Sequence, residues 1–459
     1  MSEGRQKSQL ELDLPAEGRG EAPEAARGVA EARMAGHETE SPASTEFLME
    51  EVCKRENLRK ALQRVKSNKG AAGVDGMTVG ELTGYLKEHW PGIREQLLHG
   101  GYRPQPVRRV EIPKPDGGKR KLGIPTVLDR FVQQAVMQVL QGHWEPKFSE
   151  HSYGFRPGRS AQQAVAEAQR YITEGFGCVV DIDLEKFFDR VNHDRLMGRM
   201  AKEVKDKRVL KLIRAFLNAG VMEDGLVNPT EEGMPQGGPL SPLLSNIVLD
   251  ELDRELEARG HRFVRYADDC NIYVRSERAG QRVMESIRRF IASRLKLKVN
   301  DEKSAVGRPQ ERKFLGFSFL GGEKARRRIA PKAIKRFKER IRGLTHRSKM
   351  GMTRRMKALT EYIRGWVGYF GFCETPADLR DLESWVRRRL RCFIWKQWHR
   401  GRRYHELRRR GVDVQKAWDV ASGARGPWRA SRSKAMHKAL PNVYFRELGL
   451  PRMETWATA

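Results

Sequence analysis

Two pairs of aspartates have a spacing suited to phosphoryl-transfer chemistry. Asp181 and Asp183 follow an apolar, β-branched run, and Asp268 and Asp269 lie between two β-prone segments in RYADDCNIYV. Carboxylates at strand ends and hairpin turns can be held close enough to bind two divalent cations about 3.5–4 Å apart. Such cations activate an attacking hydroxyl and stabilise a leaving phosphate oxygen, and Mg²⁺ prefers oxygen ligands. The two pairs therefore predict nucleotide transfer to a 3′-hydroxyl.

Each pair also has an ordinary structural explanation. Adjacent aspartates commonly serve turns, and VDIDLEKFFD could be a strand that runs into an N-capped helix. However, apolar strand-like segments flank both pairs. Burying two sets of carboxylates beside a sheet is unfavourable unless cations compensate the charge, which favours metal binding.

The segments around these acids alternate between strands and helices. Residues 107–125 predict a β-hairpin with its turn at 115–118, and residues 262–274 predict a second hairpin whose turn holds the double aspartate. Helices are predicted at 128–140, after Ser160 as N-cap and along 279–295, with strands at 295–300 and 313–320. This mixture predicts an α+β fold, followed beyond residue 330 by basic helices alone.

Charge is distributed unevenly along the 459 residues, whose net charge is +29. Residues 1–50 carry 5 basic and 11 acidic side chains, whereas residues 321–459 carry 36 basic and 12 acidic ones. A segment this basic repels itself unless a polyanion neutralises it, which indicates nucleic-acid binding. A highly soluble surface and ribosome association are the alternatives.

Residues 385–410 interleave tryptophan with arginine. Guanidinium groups pair with phosphates and stack on bases, so we expect Arg387, Arg388, Arg391 and Lys396 to contact nucleic acid. The same spacing also suits a core stripe of helices, with the arginines pointing outward.

Composition restricts the remaining possibilities. Residues 1–45 almost lack aromatic and β-branched residues, which predicts a disordered acidic tail. No apolar stretch approaches the roughly 20 residues of a membrane span, and no secretory signal is visible, so a cytoplasmic protein associated with the nucleoid or a ribonucleoprotein is expected. The five scattered cysteines predict free, mostly buried thiols without zinc or disulfides.

The motifs occur in an order that resembles the order of the sequence blocks of reverse transcriptases. The residues within each motif resemble those of the proteins encoded by bacterial group II introns. Nine blocks occur in the family's order: GAAGVDGMT, IPKPDGGKRKLGIPT, HSYGFRPGRSAQQAV, DIDLEKFFDRVNHDRL, GMPQGGPLSPLLSNIVLDELD, RYADDCNIYV, LKLKVNDEKS, KFLGFSF and YIRGWVGYF. Together they span roughly residues 50–400, and such an ordered series is very specific.

This resemblance implies a right-hand polymerase. Fingers and a palm with an antiparallel sheet would occupy residues 46–325, an all-α thumb or maturase domain residues 326–410, and a basic DNA-binding segment residues 411–459. The implied activity is RNA-directed DNA polymerase, a nucleotidyltransferase that uses two Mg²⁺ ions, with Mn²⁺ as a substitute. The implied partners are group II intron RNA, an RNA template, a DNA primer, dNTPs and target DNA. The implied processes are RNA splicing and retrotransposition.

The resemblance also assigns roles to individual residues. In the family, the metal-binding aspartate lies five residues before an aromatic residue that screens the sugar 2′ position. Asp183 and Phe188 have this spacing. The resemblance therefore implies that Asp181 is a support residue rather than a metal ligand. Asp183, Asp268 and Asp269 are therefore expected as catalytic metal ligands. The other implied contacts are with the incoming nucleotide or its leaving group: Lys114 and Arg120 with the triphosphate, Gln236 with the nucleotide, and Lys303 as a general acid.

The chain departs from longer family members because no Cys-paired endonuclease module follows the thumb. A member of the compact class is therefore expected, with its primer supplied from elsewhere, for example by a nascent strand at a replication fork. Two other hypotheses stay open: a domesticated reverse transcriptase in defence or repair, and an RNA-binding maturase with a vestigial polymerase site. The presence of all three metal acids and the aromatic disfavours the latter.

Overall fold

The computed structural model describes residues 45–113, 118–223, 226–228, 232–322, 324–346, 351–424 and 426–453. The expected disordered tail falls almost entirely outside the described residues, as does the turn of the first hairpin. The described helices and strands alternate as far as residue 330.

The helices of the described residues are α1 Leu48–Cys53, α2 Arg55–Asn68, α3 Leu82–Leu98, α4 Val127–Trp144, α5 Ala161–Thr173, α6 His193–Glu203, α7 Lys207–Leu217, α8 Ser241–Ala258, α9 Glu277–Phe290, α10 Pro331–Leu344, α11 Met352–Phe370, α12 Pro376–Gln397, α13 Arg400–Arg409, α14 Val414–Ser422, α15 Pro427–Ala430, α16 Lys434–Ala439 and α17 Asn442–Glu447. The strands are β1 Val107–Pro113, β2 Lys119–Ile124, β3 Cys178–Ile182, β4 Val221–Glu223, β5 Leu226–Asn228, β6 Arg262–Tyr266, β7 Asp269–Val274, β8 Ala305–Gly307, β9 Phe317–Leu320 and β10 Arg326–Ile329.

A four-stranded sheet with the order β6-β7-β3-β8 forms the centre of the molecule. All its neighbouring strands run antiparallel, which confirms the expected α+β fold with an antiparallel palm sheet. Successive side chains of a strand point to opposite faces. Accordingly, Val180 and Ile182 belong to one hydrophobic core, whereas Val179 on the same strand belongs to a second.

The first core joins the sheet to α1–α4 and to α6–α9, whereas α5 packs in the second core. Beside it lies a second four-stranded sheet, β2-β1-β4-β5, in which β1 and β2 form the predicted antiparallel hairpin. Ser160 caps α5 as predicted, and its hydroxyl and the Gln163 side chain form a reciprocal capping box. These local contacts define the hairpin and the start of α5.

The second core continues from the sheet into α10–α17. No described strand follows β10, so the prediction of helices alone beyond residue 330 is confirmed for this part of the chain. No helix among the described residues is long and apolar enough to cross a membrane. All five cysteines are free and buried, as predicted.

The predicted strand at 295–300 is wrong. Residues Ile291–Leu295 instead extend α9 as one π-helical turn, and Lys296 ends it with a left-handed φ of 56°. Leu295, Leu297 and Val299 are all buried, so the alternation that suggested a strand is present. Only Val299 forms a bridge, to Leu184, which lies just beyond the end of β3.

Candidate active site

The three predicted metal ligands meet at one end of the central sheet. Ile182 pairs with Cys270 in the antiparallel β3–β7 register, so the residues next along each strand, Asp183 and Asp269, lie side by side. Asp268 precedes Asp269 in the tight β6–β7 turn. Two acidic segments separated by more than 80 positions in the sequence are therefore brought together by strand pairing.

The carboxylates of this cluster repel one another. Loss of hydration and, next, the negative charges of Asp268, Asp183 and Asp181 raise the pKa of Asp269 to about 7. A carboxyl group whose neighbours disfavour its ionised form gains most from a bound cation. The cluster thus concentrates negative charge of the kind that divalent cations neutralise.

The charges of two cations act on Asp268. Burial raises the pKa of Asp268, and the charge of Asp183 adds to this effect, whereas Arg120 and Lys303 lower it. Arg120 is an exposed residue of β2 and pairs with Ile112 of β1. The hairpin therefore places a guanidinium where its charge reaches the acids, while Lys114, the second cation predicted there, lies outside the described residues.

Asp183 is fixed by the segment that follows α9. Its backbone N–H donates to Ser304 Oγ at 2.9 Å, and its carbonyl accepts from the Asn300 N–H at 2.8 Å. Lys303 Nζ lies 3.5 Å from Asp183 Oδ1. The lysine that the sequence suggested as a general acid is thus placed beside a predicted metal ligand.

Asp181 has a different environment. Arg312 donates to Asp181 Oδ2 from Nη2 at 2.7 Å and from Nε at 3.2 Å. The Asn271 amide, in the orientation that satisfies both groups, donates to Asp181 Oδ1 at 3.1 Å. Both Asp181 oxygens are thus engaged by protein donors.

A fully buried ion pair holds the double-aspartate turn from beneath. Both the Arg265 and the Asp253 side chains are 0% exposed, and Arg265 donates to the two Asp253 oxygens at 2.7 and 2.6 Å. Arg265 Nη1 also donates to the Ala267 carbonyl at 2.9 Å and to Asn246 Oδ1 at 3.0 Å, and Nη2 to Ser152 Oγ at 2.7 Å. The predictions missed this network; an arginine inside a strand pattern was its only signal in the sequence.

Family comparisons bear on the same residues. The family model for reverse transcriptase (RNA-dependent DNA polymerase) matches residues 112–319, and the model for the group II intron maturase-specific domain matches residues 334–411. The chain is also 34% identical over 324 residues to Protein YkfC of Escherichia coli K12, covering 61% of this chain and 83% of that protein. This chain belongs to the group II intron-encoded reverse transcriptase/maturases. It is accordingly an RNA-directed DNA polymerase, of a family that uses divalent metal ions and binds nucleic acids such as intron RNA.

Other relatives match over part of their length. Group II intron-encoded protein LtrA of Lactococcus lactis is 32% identical over 323 residues, which cover 56% of this chain and 54% of LtrA. The chain thus spans about half of LtrA. Among solved structures, the match to telomerase from Candida albicans covers 79% of this chain and 66% of the telomerase chain. The sequence identity is 12% and the TM-score is 0.45.

In this reverse transcriptase, the PQGG loop lies between the hairpin and the segment after β3. The Gly123 N–H of β2 donates to the Gln236 carbonyl at 2.9 Å, and the Met234 N–H donates to the Phe188 carbonyl at 2.6 Å. A Cβ at Gly237, whose φ is +128°, would lie 2.8 Å from the Gly123 oxygen. The loop therefore connects Gln236 to Phe188, which is half-buried against the fully buried Phe187.

Arg391 in α12 of the maturase domain is wrongly predicted as a nucleic-acid contact. It is 2% exposed, and it donates from Nε to the Leu440 carbonyl and from Nη2 to Asn442 Oδ1, both at 2.9 Å. Its guanidinium also lies 5.3 Å from the Phe445 ring centre. Arg391 joins the last helices to α12, because it lies on the helix face that meets them.

The other three residues predicted there are accessible to different degrees. Arg387 pairs with Glu383, one turn earlier on the same helix. The Arg388 guanidinium lies 3.9 Å over the Trp428 ring and donates to its carbonyl at 3.1 Å. Lys396 is exposed. Of the four predicted cations, Lys396 therefore presents the most accessible charge.

Proposed function

We propose that Asp183, Asp268 and Asp269 hold two Mg²⁺ ions during RNA-templated DNA synthesis, with Mn²⁺ as a substitute. The observation that supports this is their convergence, with mutual repulsion, at one end of the sheet. Among the described residues no group of three or more Asp, Glu, His or Cys side chains is arranged so that it could hold a metal ion by itself. Mg²⁺ does not need one, because it keeps water and substrate phosphate as ligands beside one or two carboxylates.

The donor set fits this metal. All three side chains offer hard oxygen ligands, and a bound cation would relieve the repulsion that raises the pKa of Asp269. When bound, such ions lower the pKa of the primer hydroxyl and stabilise the leaving pyrophosphate. Asp181, already paired with Arg312, would stay out of this set.

The neighbouring side chains would bind and select the nucleotide. Arg120, together with Lys114, would donate to the triphosphate, because the Arg120 charge reaches Asp268 and because guanidinium and ammonium groups bind phosphate oxygens. The Phe188 ring would leave no room for a ribose 2′-hydroxyl and so favour dNTPs. Gln236 would pack beside the incoming nucleotide, and Lys303 would orient Asp183 and protonate the leaving group.

The maturase domain would bind the intron RNA and assist its folding and splicing, while the ribozyme supplies the splicing chemistry. We assign residues 46–325 to fingers and palm, 326–410 to the thumb or maturase domain and 411–459 to target-DNA binding. Arg387, Arg388 and Lys396 on α12 would contact RNA or template–primer phosphates. This work would take place in the bacterial cytoplasm, in a ribonucleoprotein with the intron.

Primer extension on an RNA template with Mg²⁺ and dNTPs tests the polymerase proposal. The wild type should extend the primer, and Asp268→Ala with Asp269→Ala should not, although it folds. Asp194→Ala is the matched control, because that carboxylate is 83% exposed and lies on α6, outside the site. Full activity in the double variant would refute the metal-ligand assignment, and an inactive, folded wild type that binds RNA would favour the vestigial-site hypothesis.

A further inference from the structure

Phe155, in the loop before α5, combines strain with exposure. Its backbone has a φ of 59°, in the left-handed region that side-chain-bearing residues rarely adopt. Its side chain is 50% exposed, so burial of the ring does not explain the conformation. A strained, solvent-exposed aromatic persists only where the surrounding structure imposes it, and such positions cluster at functional sites.

The surroundings do impose this conformation. A Cβ at the preceding residue, Gly154, would lie 2.2 Å from the Ala267 nitrogen and 2.9 Å from the Tyr266 carbonyl carbon. The Gly154 carbonyl also accepts from Asn246 Nδ2 at 2.9 Å. The loop backbone is thus packed tightly against the double-aspartate turn immediately before Phe155.

On the other side of Phe155, Arg156 anchors the loop. Its buried guanidinium donates to the Ser152 carbonyl at 2.8 Å and from Nε to Glu145 Oε1 at 2.9 Å. Phe155 therefore lies between two residues with fixed positions. Its backbone is thus ordered without a bound substrate.

The ring lies beside the polymerase acids. Its centre is 6.4 Å from that of Tyr266, with the planes inclined by 44°. Tyr266 pairs with Asp269 across the hairpin and is itself half-buried. A nucleic-acid end bound at Asp268 and Asp269 would therefore lie near this exposed ring.

We propose that Phe155 is a stacking platform for a nucleobase of the template–primer end at the active site. An aromatic face stacks on any base, which suits a polymerase that must accept every sequence. The rigid loop positions the platform before the substrate arrives, so little ordering is needed on binding. This proposal rests on the proposed polymerase function and adds a residue that contacts the nucleic acid rather than the metals.

The test measures binding of a full-length chain to a template–primer with 2-aminopurine at the primer terminus, without dNTPs. Phe155→Ala and Phe155→Gly should each weaken binding about tenfold and lose the stacking-dependent quenching of fluorescence. Phe155→Tyr should retain both. Phe155→Gly guards against misfolding, because glycine adopts a positive φ without strain. Phe47→Ala, which removes an aromatic that is 62% exposed on the N-terminal helices, should bind as the wild type does.

Wild-type affinity and quenching in Phe155→Ala and Phe155→Gly would overturn the platform. So would a loss in Phe155→Tyr as large as in Phe155→Ala, because the ring face would then not be what matters. Since dNTPs are omitted, the measurement is independent of synthesis. If the wild type fails to extend primers but quenches the fluorescence, and Phe155→Ala loses that quenching, the proposed function is refuted and the stacking platform is not.

Discussion

The central sheet and the C-terminal helices use charge in opposite ways. At the sheet end, four aspartates converge, and only Asp181 among them is held by an arginine at hydrogen-bonding distance in the part of the chain that the structure describes. In α10–α17, cations are in large excess, and some are taken up by carbonyls and aromatic rings of the fold, as Arg391 is. Negative charge is thus concentrated and left available, whereas positive charge is distributed between structure and surface.

This difference explains why the two regions differ in how well they can be predicted. A carboxylate cluster needs cations wherever strand pairing assembles it, so its chemistry follows from residue type and register. An arginine can serve equally as a phosphate ligand, a helix clamp or a ring-stacking partner. Which of these it becomes depends on the helix face that meets a neighbour.

The largest expected effect distinguishes the two aspartates at the end of β3. Asp183→Asn should reduce primer extension by on the order of a thousandfold, because it removes a metal ligand. Its melting temperature should not fall, since one of the repelling charges is lost. Asp181→Asn should keep most of the activity and lower stability slightly, because Arg312 then loses its ionic partner. Single-turnover kinetics and thermal denaturation of both variants check this, and equal losses of activity would contradict the division of roles.

The buried pair beneath the turn should have the largest effect on stability. Arg265→Met leaves Asp253 buried without its countercharge and should cost about 3–5 kcal/mol of unfolding free energy. Combining Arg265→Met with Asp253→Leu should restore much of that loss, because neither charge then remains buried. Urea denaturation of the single and double variants gives the comparison. A single variant as stable as the wild type would show that the pair does not hold the turn.

The smallest effects should separate two cations of α12. Arg391→Ala should lower the unfolding free energy by about 1–3 kcal/mol, because buried acceptors on the last helices lose their donor. Lys396→Ala should leave stability within about 0.5 kcal/mol and reduce the salt dependence of RNA binding by about one ion. Denaturation and RNA-binding titrations over a range of salt concentrations test both. The assignment fails if Lys396→Ala leaves the salt slope unchanged or Arg391→Ala lowers it without a loss of stability.

Much of the sheet end was predictable from the sequence. The double-aspartate hairpin, the antiparallel hairpin of β1 and β2, and the Ser160 cap each depend on residues close together in the chain, and each is confirmed. The strand at 295–300 failed although its apolar alternation is real. The segment lies beyond the end of β3, where Val299 alone forms a bridge, so its alternation reflects burial rather than a paired strand.

By itself, the sequence determined the acids, their order and the family, because carboxylates, turn residues and motif spacing are local properties. Only the tertiary structure decided that Asp253 and Arg265 support the turn and that Arg391 is buried. It also decided that the loop holding Phe155 packs against the turn at Gly154. Each of these depends on contacts between segments far apart in the chain. Burial changes the role of a charged or aromatic side chain, and burial is set by the neighbours that folding brings to it.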